Sequence, residues 1–256
     1  MRFKRWYIKF CRYILGKKFL PVMAGWLKGY WWTTQRSYEY ILGNYEELAT
    51  VDRFIKWCKS DAVFYDLGGN IGYHALLANR FITTGTIYSF EPVPQNLHLF
   101  KKHIALNNDR IKKNNITILP FAIANEEKQV QFSNVDQSDG NTYITLSPVY
   151  KEAAGTITVQ CYSIDGLLAQ GYAVPTIIKI DVEGAELDVL KGAINTLTMY
   201  KPNILLATHD CHLPGVKDAC VDFLTAMGYV LQHTGYHNKY MAGLDDFIAE
   251  HPGRTV

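Results

Sequence analysis

Val63-Phe64-Tyr65-Asp66-Leu67-Gly68-Gly69-Asn70-Ile71-Gly72-Tyr73 runs from an apolar stretch into a glycine turn and out into a helical pattern. Gly68 and Gly69 permit a tight turn and close backbone approach to a ligand, and Gly72 lets the next helix pack near a sheet. Backbone N–H groups at that helix start would face the ligand. Downstream, the same alternation continues. Apolar, often β-branched runs predict strands at Ala62–Leu67, Thr86–Phe90, Ile116–Ala122, Thr176–Ile180 and Ile204–Thr208. Helices are expected over Tyr73–Asn79, Gln95–Asn107, Leu187–Lys191 and Gly215–Met227. Strand–helix alternation at this spacing implies a mostly parallel sheet covered on both faces. Two departures stand out. Lys128–Phe132 and Thr156–Tyr162 look like an extra hairpin or edge strands, and Tyr229–Thr234 with Tyr240–Leu244 flank Gly235–Lys239 as a terminal β-hairpin.

The residues at the strand ends carry the chemistry. A G-x-G-x-x-G loop would cradle a pyrophosphate, but here the order is D-x-G-G-N-x-G, with Asp66 ahead of the glycines. A carboxylate there repels phosphate and suits the cationic amino-acid end of S-adenosylmethionine. Glu91 follows Asp66 by 25 residues, after the second strand, where a Rossmann-type unit places the acid that holds ribose hydroxyls. Lys179-Ile180-Asp181-Val182-Glu183-Gly184-Ala185-Glu186 ends the fourth strand and Thr208-His209-Asp210 the fifth. Ligands of open α/β sheets bind beyond the carboxyl ends of the strands, so Asp181, Glu183 and His209 are expected around one crevice. Glu183 and Glu186 also suit the start of a helix by favourable interaction with its dipole. His98 and His103 fall on an outer helix and His233, His237 and His251 near the terminal hairpin or tail; none is given a role.

The N-terminal head has a different character. Residues 1–38 contain nine of the 26 Lys/Arg and none of the 24 Asp/Glu, so the remainder is net acidic. Residues 2–15 read as an amphipathic helix: Phe3, Trp6, Tyr7, Phe10 and Ile14 form an apolar stripe opposite Arg2, Arg5, Lys9 and Arg12. The expectation is a helix lying on an anionic membrane, against the alternative that the stripe packs on the main domain or a second subunit. The head lacks the h-region of a signal peptide, and its lysines interrupt any span. A glycine- and aromatic-rich stretch follows from Pro21 to Trp32, then a helix from about Leu48 to Lys59. This divides the chain into a 1–38 extension and a 39–256 domain. Five cysteines (Cys11, Cys58, Cys161, Cys211 and Cys220) include no CxxC pair, which argues against a zinc ribbon or disulfide scaffold and fits a reducing cytoplasm. The expected location is cytoplasmic, with the head on the inner face of the membrane.

The quoted stretches resemble the FkbM-type methyltransferases. The match comprises Leu42-Gly43-Asn44-Tyr45-Glu46, the Tyr65–Tyr73 loop, Phe90-Glu91-Pro92, Leu106-Asn107, Pro120-Phe121-Ala122-Ile123 and, most specifically, Ile178–Glu186 with Val189-Leu190-Lys191-Gly192 behind it. The resemblance implies a Rossmann-like class I methyltransferase fold, with a mostly parallel seven-stranded sheet ending in an antiparallel hairpin. It also implies methyl transfer from S-adenosylmethionine, usually to oxygen, often on a sugar or natural product. Carried over, Asp66, Gly68, Asn70 and Gly72 line the methionine side of the cofactor, with Gly69 in the same loop; Glu91 holds the ribose and Ala122 sits near adenine. The family usually has Ala where this chain has Gly69, a difference expected to be harmless. It often has Glu after the fifth strand, where this chain has Thr208-His209-Asp210.

The implied reaction is in-line displacement at a sulfonium methyl, with Asp181, Glu183 and His209 as candidate bases for a hydroxyl. In a metal-assisted alternative, Asp181 and Asp210 would hold Mg²⁺, as in catechol-type methyltransferases, although two carboxylates make a thin oxygen cage. The rival readings are a nicotinamide-dependent oxidoreductase, for which the loop is a poor pyrophosphate site, and a non-catalytic cofactor-binding protein. The expected partner is a small molecule or glycan. An acidic body without an Asn/Asp-Pro-Pro-aromatic motif argues against nucleic acid.

Overall fold

The computed structural model describes residues 2–35, 39–43, 48–111, 113–136, 142–145, 156–237 and 243–254. The head holds α1 (Arg2–Tyr13) and strands β1 (Phe19–Pro21) and β2 (Trp31–Thr33), followed by α2 (Glu39–Leu42) and α3 (Leu48–Trp57). Next come β3 (Val63–Leu67), α4 (Tyr73–Asn79), β4 (Thr86–Phe90), α5 (Pro94–Leu106) and β5 (Ile116–Leu119). The middle contains β6 (Ala122–Ile123), β7 (Lys128–Asp136), β8 (Thr142–Thr145), β9 (Thr156–Tyr162) and α6 (Ile164–Ala169). The chain continues through β10 (Ile177–Ile180), α7 (Glu186–Lys191), α8 (Ile194–Tyr200), β11 (Asn203–His209), α9 (Val216–Ala226), β12 (Val230–His237) and β13 (Leu244–Glu250).

Seven strands form one sheet in the order β12-β13-β11-β10-β3-β4-β5. The five from β11 to β5 are parallel, and β13 runs antiparallel between β11 and β12. This is the expected parallel sheet with a terminal hairpin. Its central strands read as continuous apolar runs because both faces are covered. Alternate residues feed opposite cores: Phe64, Ile87, Ile177 and Leu205 pack with α3 and α4, whereas Tyr65, Ile178, Ile180 and Leu206 pack with α7 and α9. Each such side chain contributes about 1.5–3 kcal/mol by leaving water.

Three expectations are corrected. The strand expected over Ile116–Ala122 is split. Pro120 has no N–H to extend the ladder, so β5 ends at Leu119 and Ala122–Ile123 joins another sheet. Lys128–Phe132 and Thr156–Tyr162, expected as an extra hairpin or edge strands, do not edge the main sheet but pair antiparallel as β7 and β9 in that second sheet, ordered β6-β9-β7-β8. The last strand spans Leu244–Glu250 rather than Tyr240–Leu244, because burying Phe247, Ile248 and Ala249 sets its register. Residues 240–242 of that expectation, and Asn44-Tyr45-Glu46 of the matching stretch, lie outside the described residues. The short helices α6 and α8 had no clear periodic signal; the Ser163 side chain caps α6 by accepting from Gly166 N at 3.0 Å.

The head is built into the first core. Ile8, Cys11, Leu20 and Trp32 are buried with residues of α3 and α4. β1 and β2 form a hairpin inside the stretch read only as glycine- and aromatic-rich. Trp32 stacks on His103 with ring centres 4.0 Å apart. His103 Nε2 accepts from Thr33 N at 3.1 Å, which requires its proton on Nδ1, 2.8 Å from Ile71 O. His103 is therefore a fully buried link between the head and the glycine loop rather than a group on an outer helix.

Candidate active site

The crevice lies where β3, β4 and β10 end. Gly68 N and Gly69 N both donate to Phe90 O at 3.0 Å, drawing the loop over the end of β4. Gly68 has φ +78°, and a Cβ there would stand 1.9 Å from Asp181 O, so only glycine allows the loop to touch the end of β10. Gly69 lies against Ser89, whose Oγ donates to Asp66 Oδ2 at 2.8 Å. Asn70 follows in the left-handed region at φ 47°.

A cavity of about 650 Å³ opens beside this loop. Of the sequence-selected residues, Gly68, Asn70, Glu91, Ala122, Asp181 and Glu183 line it. Asp66, Gly69, Gly72 and His209 stand outside its lining. Asp66 is fully buried beneath the loop, where it meets Ser89 and the Lys179 ammonium at 3.7 Å; it braces the loop from below. Gly72 opens α4 packed against Phe100. His209 is buried behind the two acids.

Glu91 is 4% exposed. Its Oε2 accepts from Asn70 N at 2.8 Å, and its Oε1 from Val93 N at 2.8 Å and Asn96 Nδ2 at 3.2 Å. Burial nevertheless pushes the carboxyl up to about 7, against the pull of those donors. Asn96 is a cavity residue that the sequence reading missed. Its signal was position: it stands five residues after Glu91 in the first turn of the next helix.

Behind the acids lies a buried charge network. His209 Nδ1 is 2.7 Å from Oε1 of the fully buried Glu186, the same oxygen that accepts from Gly184 N. His209 Nε2 is 3.5 Å from Asp181 Oδ1 and 3.5 Å from Glu183 Oε2. Burial alone would lower the His209 pKa. The charge of Glu183, the hydrogen bond and charge of Glu186, and the charge of Asp181 overcome that and raise it to about 10. Asp181 moves the other way: its burial disfavours charge, but Lys179 at 3.0 Å and His209 hold its carboxyl below the usual range. Glu183 also meets His212 Nε2 at 2.8 Å and has a left-handed backbone at φ 57°, a costly conformation for a non-glycine residue. Glu186 thus anchors a buried histidine in addition to opening α7.

Asp181, Glu183 and His209 each present one ligand atom within 4.8 Å of the others, a spacing that could hold a metal ion. Lys179 Nζ and the His209 ring lie beside the same two acids. Asp210, the other half of the metal alternative, is not in this trio; its Oδ1 accepts from Lys217 N at the start of α9.

The sequence description of the methyltransferase FkbM domain matches residues 66–237, from Asp66 of the loop through β12. The chain belongs to the FkbM methyltransferase family. Among curated relatives, it is 31% identical over 141 residues to a hexuronic acid methyltransferase, AglP, of Haloferax volcanii, covering 54% of this chain and 53% of that one. It is 29% identical over 156 residues to Methyltransferase 1 of Beauveria bassiana, covering 52% and 58%. The chain thus spans about half the length of the curated relatives it matches. Among solved structures, methyltransferase FkbM from Methylobacillus flagellatus superposes with a TM-score of 0.50 at 18% identity, covering 74% of this chain and 44% of that one. A putative rRNA-methylase from Clostridium thermocellum gives 0.51 at 9% identity, covering 81% and 96%. These likenesses carry the fold: the FkbM chain is an α/β class I methyltransferase architecture.

Proposed function

We propose that this FkbM-family chain is an S-adenosylmethionine-dependent methyltransferase acting on an oxygen, most simply a sugar hydroxyl in a glycan or natural product. The observation that carries the reading is one cavity that joins the Gly68–Asn70 loop and Glu91 to the carboxylates of Asp181 and Glu183. The hexuronic acid methyltransferase among the relatives supports a sugar acceptor.

When bound, S-adenosylmethionine supplies a methyl group activated on a sulfonium. Glu91 would hold the ribose hydroxyls, and Ala122 would lie by the base. Asp181, beside Lys179, would offer negative charge to the cationic cofactor. Glu183, at the cavity wall, takes the proton of the acceptor hydroxyl as that oxygen gains the methyl. His209, an imidazolium between three carboxylates, has no lone pair to act as a base and instead positions Glu183 and Asp181.

Calorimetric titration of the full chain with S-adenosylmethionine and with NAD tests the reading. Binding of the former alone is expected. Binding of NAD alone would overturn it in favour of an oxidoreductase. Mass spectrometry of hexuronic acid-containing glycans incubated with protein and S-adenosylmethionine should find a methylated product that is absent when either is omitted.

A further inference from the structure

We propose that the outward face of α1, with the turn after it, docks on an anionic lipid bilayer. The helix has two apolar faces. One is narrow: Ile8 and Cys11 are buried in the core, and beside them Arg12 Nη1 donates to Thr34 O at 3.2 Å and Gln35 O at 2.9 Å, so the helix is fixed to the protein. The other carries aromatic and apolar side chains that are largely exposed. Trp6 is 57% exposed, Ile14 68% and Leu15 53%, and Tyr7 and Tyr13 are exposed with them. Trp6 stacks on Phe10 at 5.3 Å, which makes a broad aromatic surface. Of the stripe Phe3, Trp6, Tyr7, Phe10 and Ile14, the side chains of Trp6, Tyr7 and Ile14 are turned to solvent rather than into the core, and Phe10 is half-buried.

The charge beside it selects the occupant. Lys9, Lys17 and Lys18 are exposed on the helix and the following turn, and residues 1–38 contain no Asp or Glu. An apolar, aromatic-rich strip beside exposed cations complements phosphate headgroups above acyl chains. A second copy of this chain would bring the same cations against these and repel them. Among the described residues no helix is long and apolar enough to cross a membrane, so the contact is peripheral. The inference does not depend on the reaction proposed above.

The test is flotation of the full chain with vesicles of equal parts phosphatidylglycerol and phosphatidylcholine, and with phosphatidylcholine alone. The protein should float with the anionic vesicles at low salt and not with the neutral ones. Flotation should fall at about 1 M salt, where screening shortens the reach of charge to about 3 Å. Replacing Lys9, Lys17 and Lys18 by Gln should weaken partitioning roughly a hundred-fold, from about five-fold per cation. W6S/I14S/L15S should abolish flotation while leaving the melting temperature and S-adenosylmethionine titration at wild-type values. The lipid and salt dependence of the wild type stays decisive even if a variant fails to fold. Three results would overturn the proposal: no flotation of the wild type, equal flotation with neutral vesicles, or a dimer in sedimentation velocity that W6S/I14S/L15S splits.

Discussion

Gly69→Ala adds one methyl group to the glycine loop, and in this chain it should be costly. Gly69 has no left-handed backbone to forbid alanine, so the cost is steric. The new Cβ would stand 2.0 Å from Ser89 Oγ and 3.3 Å from Asp66 Oδ2. Ser89 must turn away, and the 2.8 Å hydrogen bond it donates to the fully buried Asp66 is lost. A hydrogen bond to a charged group is worth about 1.5–3 kcal/mol. In a protein of this size, that lowers the melting temperature by roughly 3–12 °C. Ser89→Ala removes the same bond and should cost about as much. The double variant should melt no lower than Ser89→Ala alone, because Ser89 Cβ is 3.4 Å from the new methyl and tolerates it. The assay is calorimetry on all four proteins. A Gly69→Ala protein that melts like wild type, or a double variant whose loss equals the sum of the two singles, would refute the reasoning.

Glu91, with its carboxyl raised from 4.5 to about 7 by burial, keeps a proton in the folded state that the unfolded chain releases, so its contribution to stability falls as pH rises across that window. The ribose hydroxyls need the carboxylate, so S-adenosylmethionine titrations should be tighter at about pH 8 than at about pH 6; equal affinities would refute the assignment of Glu91. Glu183→Gln should lower turnover roughly 10²–10⁴-fold with cofactor affinity unchanged, measured by release of S-adenosylhomocysteine with a hexuronic acid acceptor; wild-type turnover would move the base elsewhere. His209→Ala takes away the ring that meets the buried Glu186 carboxyl and should cost about 3–5 kcal/mol in urea denaturation. The His209 pKa is raised to about 10, so its stabilisation is full below 6.5 and lost as pH rises through about 10; the variant should lack that alkaline loss, and matching wild-type and variant curves would disprove the network.

Local pattern was enough wherever one short segment decides its own conformation. α4 and β4 lie where periodicity and glycine spacing put them, and Glu91 lies in the cavity beside the loop because the strand–turn–helix–strand unit sets its position. The parallel sheet and its terminal hairpin followed from the alternation of elements, a property of neighbours in sequence. Pro120 shows where that reading stops. It marks a break, but only pairing with β9 sends Ala122–Ile123 into a second sheet.

The charge network is the clearest case of what sequence alone cannot decide. Asp181, Glu183, Glu186 and His209 were all visible as residues of strand ends, but a base and a buried imidazolium differ by distances between segments more than twenty residues apart. Nothing in Asp66 itself said whether it would line the cavity or lie beneath the loop; the packing of Gly69 on Ser89 decided that. The same limit governs α1. Spacing identifies a helix with an aromatic stripe opposite a basic face, and does not single out Ile8 and Cys11. Which apolar face is buried depends on the shape of the core that receives it: that core holds the narrow face and leaves the aromatic one in water.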